Sequence, residues 1–214
     1  MSRTRRFADR SEAGQELGER LRERAPDVDL VLAIPRGGLP VGRAVADALG
    51  VPLDVVVASK IGAPGNPELA IGAVASDGSV WRTESAIRAT GADEPYFERE
   101  REREADVARE KAERYRAGRA PLDLAGRTVA VVDAGVATGA TARASLEVLR
   151  ERDVGRVVLA VPVGPPDTIA ALEERADAVV CLQTPSHFRG VGQCYERFEQ
   201  VPDEAAMAYL EGRS

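Results

Sequence analysis

Five short apolar runs rich in β-branched residues punctuate the chain, at residues 30–34, 53–57, 128–132, 157–163 and 178–182. Each is bounded by turn-forming residues and is apolar throughout rather than alternating, the pattern of a strand buried on both faces of its sheet. Helices fit residues 10–24, 39–49, 142–152, 166–175 and 203–211. Strands alternating with amphipathic helices predict an α/β fold, an open parallel five-stranded sheet flanked by helices. In such sheets ligands bind beyond the carboxyl ends of the strands, near the point where strand order reverses. The loops at 35–38 and 133–141 both fall at such ends.

One segment interrupts the alternation. Between the second and third runs, residues 71–74 and 79–82 flank Asp77-Gly78, a hairpin signal, and a long polar helix is predicted from 95 to about 117. Its 98–104 stretch puts opposite charges at i, i+3 and like charges at i, i+4, so charge pairing adds little and the stretch reads as a solvated face. Residues 63–68, Ala-Pro-Gly-Asn-Pro-Glu, are dense in turn formers and read as a loop over the strand ends, ordered or mobile. After the last run, residues 185–195 follow neither period. The chain is thus expected to be one domain, 1–214, with an insertion at about 62–120.

At 214 residues, 44% of them hydrophobic, the chain can bury one full core. No apolar run approaches the roughly 20 residues of a membrane helix, and residues 1–6 lack an apolar leader, so a cytoplasmic protein with no membrane partner is expected. A formal net charge of −6 and a pI near 5.1 argue against nucleic acid as a partner, although local arginine clusters can still hold a small polyanion. Cys181 and Cys194, with one histidine and no CxxC, are expected as free thiols rather than a disulfide or a zinc site. Only Lys60 and Lys111 are lysines among 29 basic residues, which singles out Lys60, just past the second strand.

The chemistry gathers in residues 129–141, where an apolar strand breaks into small residues that lead directly into a helix. Small side chains and Gly139 let the backbone curl with its N–H groups inward, Thr138 and Thr141 add hydroxyls, and the positive end of the helix attracts anions. Asp133, at the strand's tip, stands beside this cradle, where a carboxylate can accept hydrogen bonds from sugar hydroxyls. Together these residues read as a ribose 5-phosphate site. Ile34-Pro35-Arg36-Gly37-Gly38 likewise joins a strand to a helix, with two glycines for unusual torsions and Arg36 to face an anion. Arg116 and Arg119 end the charged helix, either solvated or reaching the phosphates, and His187 is a weaker candidate for a general base. The P-loop, dinucleotide and nucleophile-elbow motifs are all missing.

Residues 129–141 resemble the phosphoribosyl pyrophosphate (PRPP) signature of the type I phosphoribosyltransferases: an apolar strand, two adjacent acids, three variable residues and Thr-Gly-x-Thr. Asp133 fills the first acidic position, and Ala134 stands at the second. Within that family the chain is similar to stand-alone domains carrying Pro-Arg-Gly-Gly, Lys-x-Gly and a Val-Gly-x-x-Tyr-x-x-Phe segment, here Val191, Gly192, Tyr195 and Phe198. A generic flavodoxin-like binding domain is the competing structural reading.

The resemblance implies that Gly135, Val136, Ala137, Thr138, Gly139, Ala140 and Thr141 hold the 5-phosphate and that Arg36, Gly37, Gly38 and Lys60 hold pyrophosphate, with Asp133, Arg36 and Lys60 as the catalytic set. It also implies a hood at about 183–201, in which Phe188 or Tyr195 stacks on a planar acceptor. Magnesium is expected to be carried by PRPP, with no direct protein ligand beyond a water bridge to Asp133. The implied partners are PRPP, a small-molecule acceptor and a second copy in a homodimer. Ala137 stands where 6-oxopurine enzymes have an acid, which disfavours hypoxanthine and guanine. Two functions follow: transfer of ribose 5-phosphate to a nitrogen acceptor with release of pyrophosphate, or PRPP and nucleotide binding in a regulator that has lost turnover with the second acid. Ala134→Asp is then expected to raise PRPP affinity or turnover.

Overall fold

The structure, a computed structural model, describes residues 5–212; residues 1–4, part of the stretch expected to lack a leader, lie outside them. Helix α1 (Arg10–Arg24) begins at Asp9, whose carboxylate accepts the amides of Ser11 and Glu12. Strand β1 (Leu30–Ala33), helix α2 (Gly38–Leu49) and strand β2 (Leu53–Val55) follow, and Gly50 closes α2 in the left-handed conformation. Two glycines let α1 lie directly on α2. A Cβ on Gly14 would stand 2.6 Å from Val41 O, and one on Gly18 would stand 2.6 Å from the Ala48 Cβ.

The insertion is more ordered than its sequence suggests. Strand β3 (Ala58–Ala63) pairs antiparallel with β4 (Asn66–Ala75), which pairs with β5 (Val80–Arg82), so three strands stand where one hairpin was expected. The turn-rich stretch at 63–68 is accordingly not a loop. Only Pro64 and Gly65 turn the chain, with Gly65 at φ 71°, and Asn66-Pro67 already belong to β4. A short helix, α3 (Glu84–Thr90), precedes the long α4 (Glu94–Arg116), which Asp93 caps through the Tyr96 amide. The charged run of α4 forms i, i+3 pairs, Glu98 with Arg101 at 2.7 Å and Glu100 with Arg103 at 2.6 Å. Its other side buries Phe97, Ala105, Ala108, Ala112 and Tyr115.

Arg116, half-buried, and Arg119, exposed, are both tied to the protein by hydrogen bonds. Arg116 donates from Nε to the buried Asp54 carboxylate at 2.8 Å and from Nη2 to Val55 O at 3.1 Å, and Arg119 donates to Leu210 O at 2.6 Å.

The chain continues through β6 (Thr128–Val132), α5 (Ala140–Arg150), β7 (Arg156–Val163), α6 (Pro166–Glu173), β8 (Ala178–Gln183), a 3-10 turn at Val191–Cys194 and α7 (Asp203–Glu211). The main sheet runs β2-β1-β6-β7-β8, entirely parallel. Alternate residues of its strands enter different cores, which explains the unbroken apolar runs. Val31, Ala33, Ala130 and Val132 pack with α1 and α2, while Leu30, Leu32, Val129 and Val131 pack with α5 and α6. Strand order reverses between β1 and β6, whose register sets Ala33 beside Val132. Two loops therefore leave adjacent strand ends at the switch point. No helix among the described residues is long and apolar enough to cross a membrane, and both cysteines are free.

Candidate functional site

At the switch point the two loops touch. The Ile34 N–H donates to Val132 O at 2.8 Å. Gly38 admits Asp133 at close range: a Cβ there would lie 3.0 Å from the Asp133 Cα and 3.3 Å from Oδ1. The peptide between Pro35 and Arg36 is cis. Asp133 Oδ1 accepts the Ala134 amide at 2.7 Å. Burial raises the Asp133 carboxyl to about 7, against the opposing pull of that amide and of the Arg10 guanidinium.

Arg10 is a neighbour that the sequence does not reveal. Its guanidinium lies 3.8 Å above the Phe198 ring and donates to Glu199 O at 3.0 Å, while its buried Nε has no partner. Nothing local distinguishes it from the other arginines. Only the packing of α1 brings it to Asp133.

The cradle expected at 135–141 is narrower than its motif. Gly135 has no room for a side chain, since a Cβ there would stand 2.8 Å from Cγ1 of both Val163 and Val191. The Val136 amide donates to Val163 O at 2.9 Å, and its side chain is buried. The Val136 amide is therefore already engaged, and the turn continues through Ala137, Thr138, Gly139, Ala140 and Thr141. Gly139, at φ 74°, caps α5, where the Ala140 amide donates to the Thr138 hydroxyl at 3.4 Å, and the unpaired amides of a helix's first turn are donors suited to an anion. Thr168, unmarked in the sequence, braces this turn by donating its hydroxyl to Ala137 O at 2.9 Å.

Arg36, Gly37, Lys60 and Thr141 line a single cavity of about 720 Å³. Lys60 reaches it from strand β3, with its Nζ 3.2 Å from Glu68. Three residues of α4 that the sequence does not single out for the site, Lys111, Arg114 and Tyr115, line the same cavity, so both lysines of the chain meet there. Asp203, at the start of α7, completes the wall; it pairs with Arg36 at 3.3 Å and Arg114 at 3.1 Å, and accepts from the Tyr115 hydroxyl at 3.4 Å.

Tyr195 does not have the expected free face. Its ring is 3% exposed, lies 4.8 Å from that of Phe198 and 5.6 Å from that of Phe7, and its hydroxyl donates to Ala134 O at 2.6 Å. An aromatic sandwiched in this way cannot stack on an acceptor. Phe188, like Phe198, is partly buried against the same cluster and retains some exposure. His187 is exposed, and its carbonyl accepts from Gln193 at 3.2 Å. Among the described residues no group of three histidine, cysteine or acidic side chains could cage a metal ion.

A family model described as a phosphoribosyl transferase domain matches residues 13–198. A relative in two strains of Mycobacterium tuberculosis, provisionally named a phosphoribosyl transferase, is 42% identical over 205 residues, covering 96% of this chain and 46% of its own length. The chain thus spans about half the length of the curated relatives it matches. The crystal structure of TT1426 from Thermus thermophilus is 45% identical with a TM-score of 0.90, covering 98% of this chain and 99% of that one. A hypothetical protein from Neisseria gonorrhoeae, solved with bound ppGpp, shares the fold at a TM-score of 0.50 and 15% identity over 99% of this chain and 98% of its own.

Proposed function

This chain belongs to the phosphoribosyl transferase domain family, and from that premise we propose that it moves ribose 5-phosphate from magnesium-bound PRPP to a nitrogen acceptor and releases pyrophosphate. One observation carries the reading: Arg36 and Lys60 share a cavity with Thr141, so groups suited to the two phosphorylated ends of PRPP open onto one space. Nitrogen attack at C1 breaks the bond to pyrophosphate while positive charge builds on the sugar, so positioning and electrostatics supply most of the catalysis.

The amides of 137–141, with the Thr138 and Thr141 hydroxyls, hold the 5-phosphate, and Asp133 accepts from a ribose hydroxyl. Arg36 and Lys60 stabilise charge on the departing pyrophosphate, with Gly37 giving its oxygens access to the backbone, whereas the Gly38 amide is taken by Ile34 O. The donor set suits a metal that comes with its substrate: Asp133 is the carboxylate at the loop junction and would hold magnesium through water. When bound, magnesium neutralises diphosphate charge. Phe188 is the platform offered to the acceptor, and Ala137, which cannot act on a 6-oxopurine ring as an acid would, points to acceptors other than hypoxanthine and guanine. A cytoplasmic homodimer belongs to the same reading.

Ala134 favours a second reading, a PRPP- or nucleotide-binding regulator, because one charged hydrogen bond to the ribose, worth about 1.5–3 kcal/mol, is absent. Calorimetry with magnesium-PRPP, followed by a pyrophosphate-release screen over nucleobases, separates the two. Binding together with release supports the transferase. Binding without release for any acceptor supports the regulator, and failure to bind PRPP removes both.

A further inference from the structure

The cavity is asymmetric. It is lined by the tips of β1 and β2 with β3, by Thr141 of α5, and then by α4 and α7, and it takes no residue from the hood at about 183–201. It therefore extends away from the expected acceptor side, toward the β2 edge of the sheet. Its volume of about 720 Å³ lies in the range of ligand sites and leaves room for a hydrated diphosphate. Four cations face it, Arg36, Lys60, Lys111 and Arg114, against the carboxylates of Asp203 and Glu68. Lys111 has no ion pair among the described residues. In a chain that otherwise uses arginine, both lysines are here, and a lysine brings a compact, mobile charge suited to phosphoryl oxygens.

Resting on the phosphoribosyl-transfer reading, we infer that Lys111 and Arg114 of the insertion helix form the outer wall of the diphosphate site, and that Asp203 occupies this site until the diphosphate displaces it. The Asp203 contacts, 3.1 to 3.4 Å, are longer than the 2.7–2.9 Å of tight charge-assisted bonds. Its side chain is 32% exposed, and those of Arg36 and Arg114 are 37% and 57% exposed, so the pairs are weak. A diphosphate carries more charge and more acceptor oxygens than one carboxylate. It takes over Arg36 and Arg114 together and finds Lys111 free.

The test is calorimetric titration of the full chain with inorganic pyrophosphate, without divalent metal so that Asp203 cannot act through coordination, and separately with ribose 5-phosphate. The double variant Lys111→Ala/Arg114→Ala should bind pyrophosphate at least about tenfold more weakly, the loss expected for one or two charge-assisted hydrogen bonds, with ribose 5-phosphate affinity unchanged. Asp203→Asn should bind pyrophosphate several-fold more tightly. An unchanged pyrophosphate affinity in the double variant overturns the outer wall, and a weaker one in Asp203→Asn overturns displacement. If the native chain binds ribose 5-phosphate but no pyrophosphate, this inference falls alone; if it binds neither, the transferase reading falls with it.

Discussion

The Tyr195 hydroxyl donates to the carbonyl oxygen of Ala134 at 2.6 Å, which ties the hood to the residue that stands in place of the second acid of the PRPP signature. The bond joins segments far apart in the chain and is fully enclosed. Tyr195→Phe keeps the ring between Phe7 and Phe198 but leaves a buried carbonyl without its donor, at a cost of about 1–2 kcal/mol. Chemical denaturation should show that loss; an unchanged midpoint would mean that water replaces the hydroxyl.

Ala134 itself is 4% exposed, and its Cβ lies 4.0 Å from where a Cβ on Gly37 would sit. This environment argues against the expectation from the motif. A carboxylate introduced by Ala134→Asp enters a packed core, so it should destabilise the fold by about 2 kcal/mol or more rather than improve PRPP binding. Because the ionised form carries that cost, the loss should be larger at pH 8 than at pH 5. Denaturant midpoints at the two pH values, with PRPP calorimetry beside them, check both parts.

Asp133 carries a pH signature of its own. Its folded-state value of about 7 lies above the ordinary carboxylate value, so between about pH 4 and 7 the folded chain keeps a proton that the unfolded chain has released. Its contribution to stability therefore falls as pH rises through that window and is level above it. Asp133→Asn should flatten the slope and leave the variant more stable than native at pH 8, with little difference at pH 4. The same substitution should weaken PRPP binding, and native PRPP affinity should climb as pH passes 7. A variant no more stable than native at pH 8 would show that the carboxylate is well solvated.

Thr168 offers a cleaner probe of the cradle, because it braces the loop without belonging to it. Thr168→Val removes the bond to Ala137 O at nearly constant shape, a change of about 1 kcal/mol. Ribose 5-phosphate affinity should fall several-fold while pyrophosphate affinity holds. Equal losses for both ligands would point to a general disturbance instead.

The frame was legible because its signals are local and strong. Each core strand is buried on both faces, so its residues are apolar without interruption, and the helices between them carry clear stripes. Strand β3 was not, since Ser59, Lys60 and Gly62 break its apolar run and Pro64-Gly65 makes the hairpin look like a loop. In the site, the turn ending in Thr138, Gly139 and Thr141 is written in consecutive residues and could be read directly. Arg10, Lys111, Arg114 and Asp203 arrive from three separate helices, and no spacing marks their convergence. Tyr195 misled for a related reason: its sequence neighbourhood cannot say that Phe7 covers one face of the ring.

The glycine contact between α1 and α2 has an effect at a distance. Arg10 opens the first of these helices and Gly38 opens the second, so the interlock at Gly14 and Gly18 sets how far a guanidinium stands from the loop that presses on Asp133. A methyl group wedged in at Gly14 would touch no ligand, yet it would tilt one rod against the other. The charge balance at Asp133 is thus held by backbones meeting well away from it.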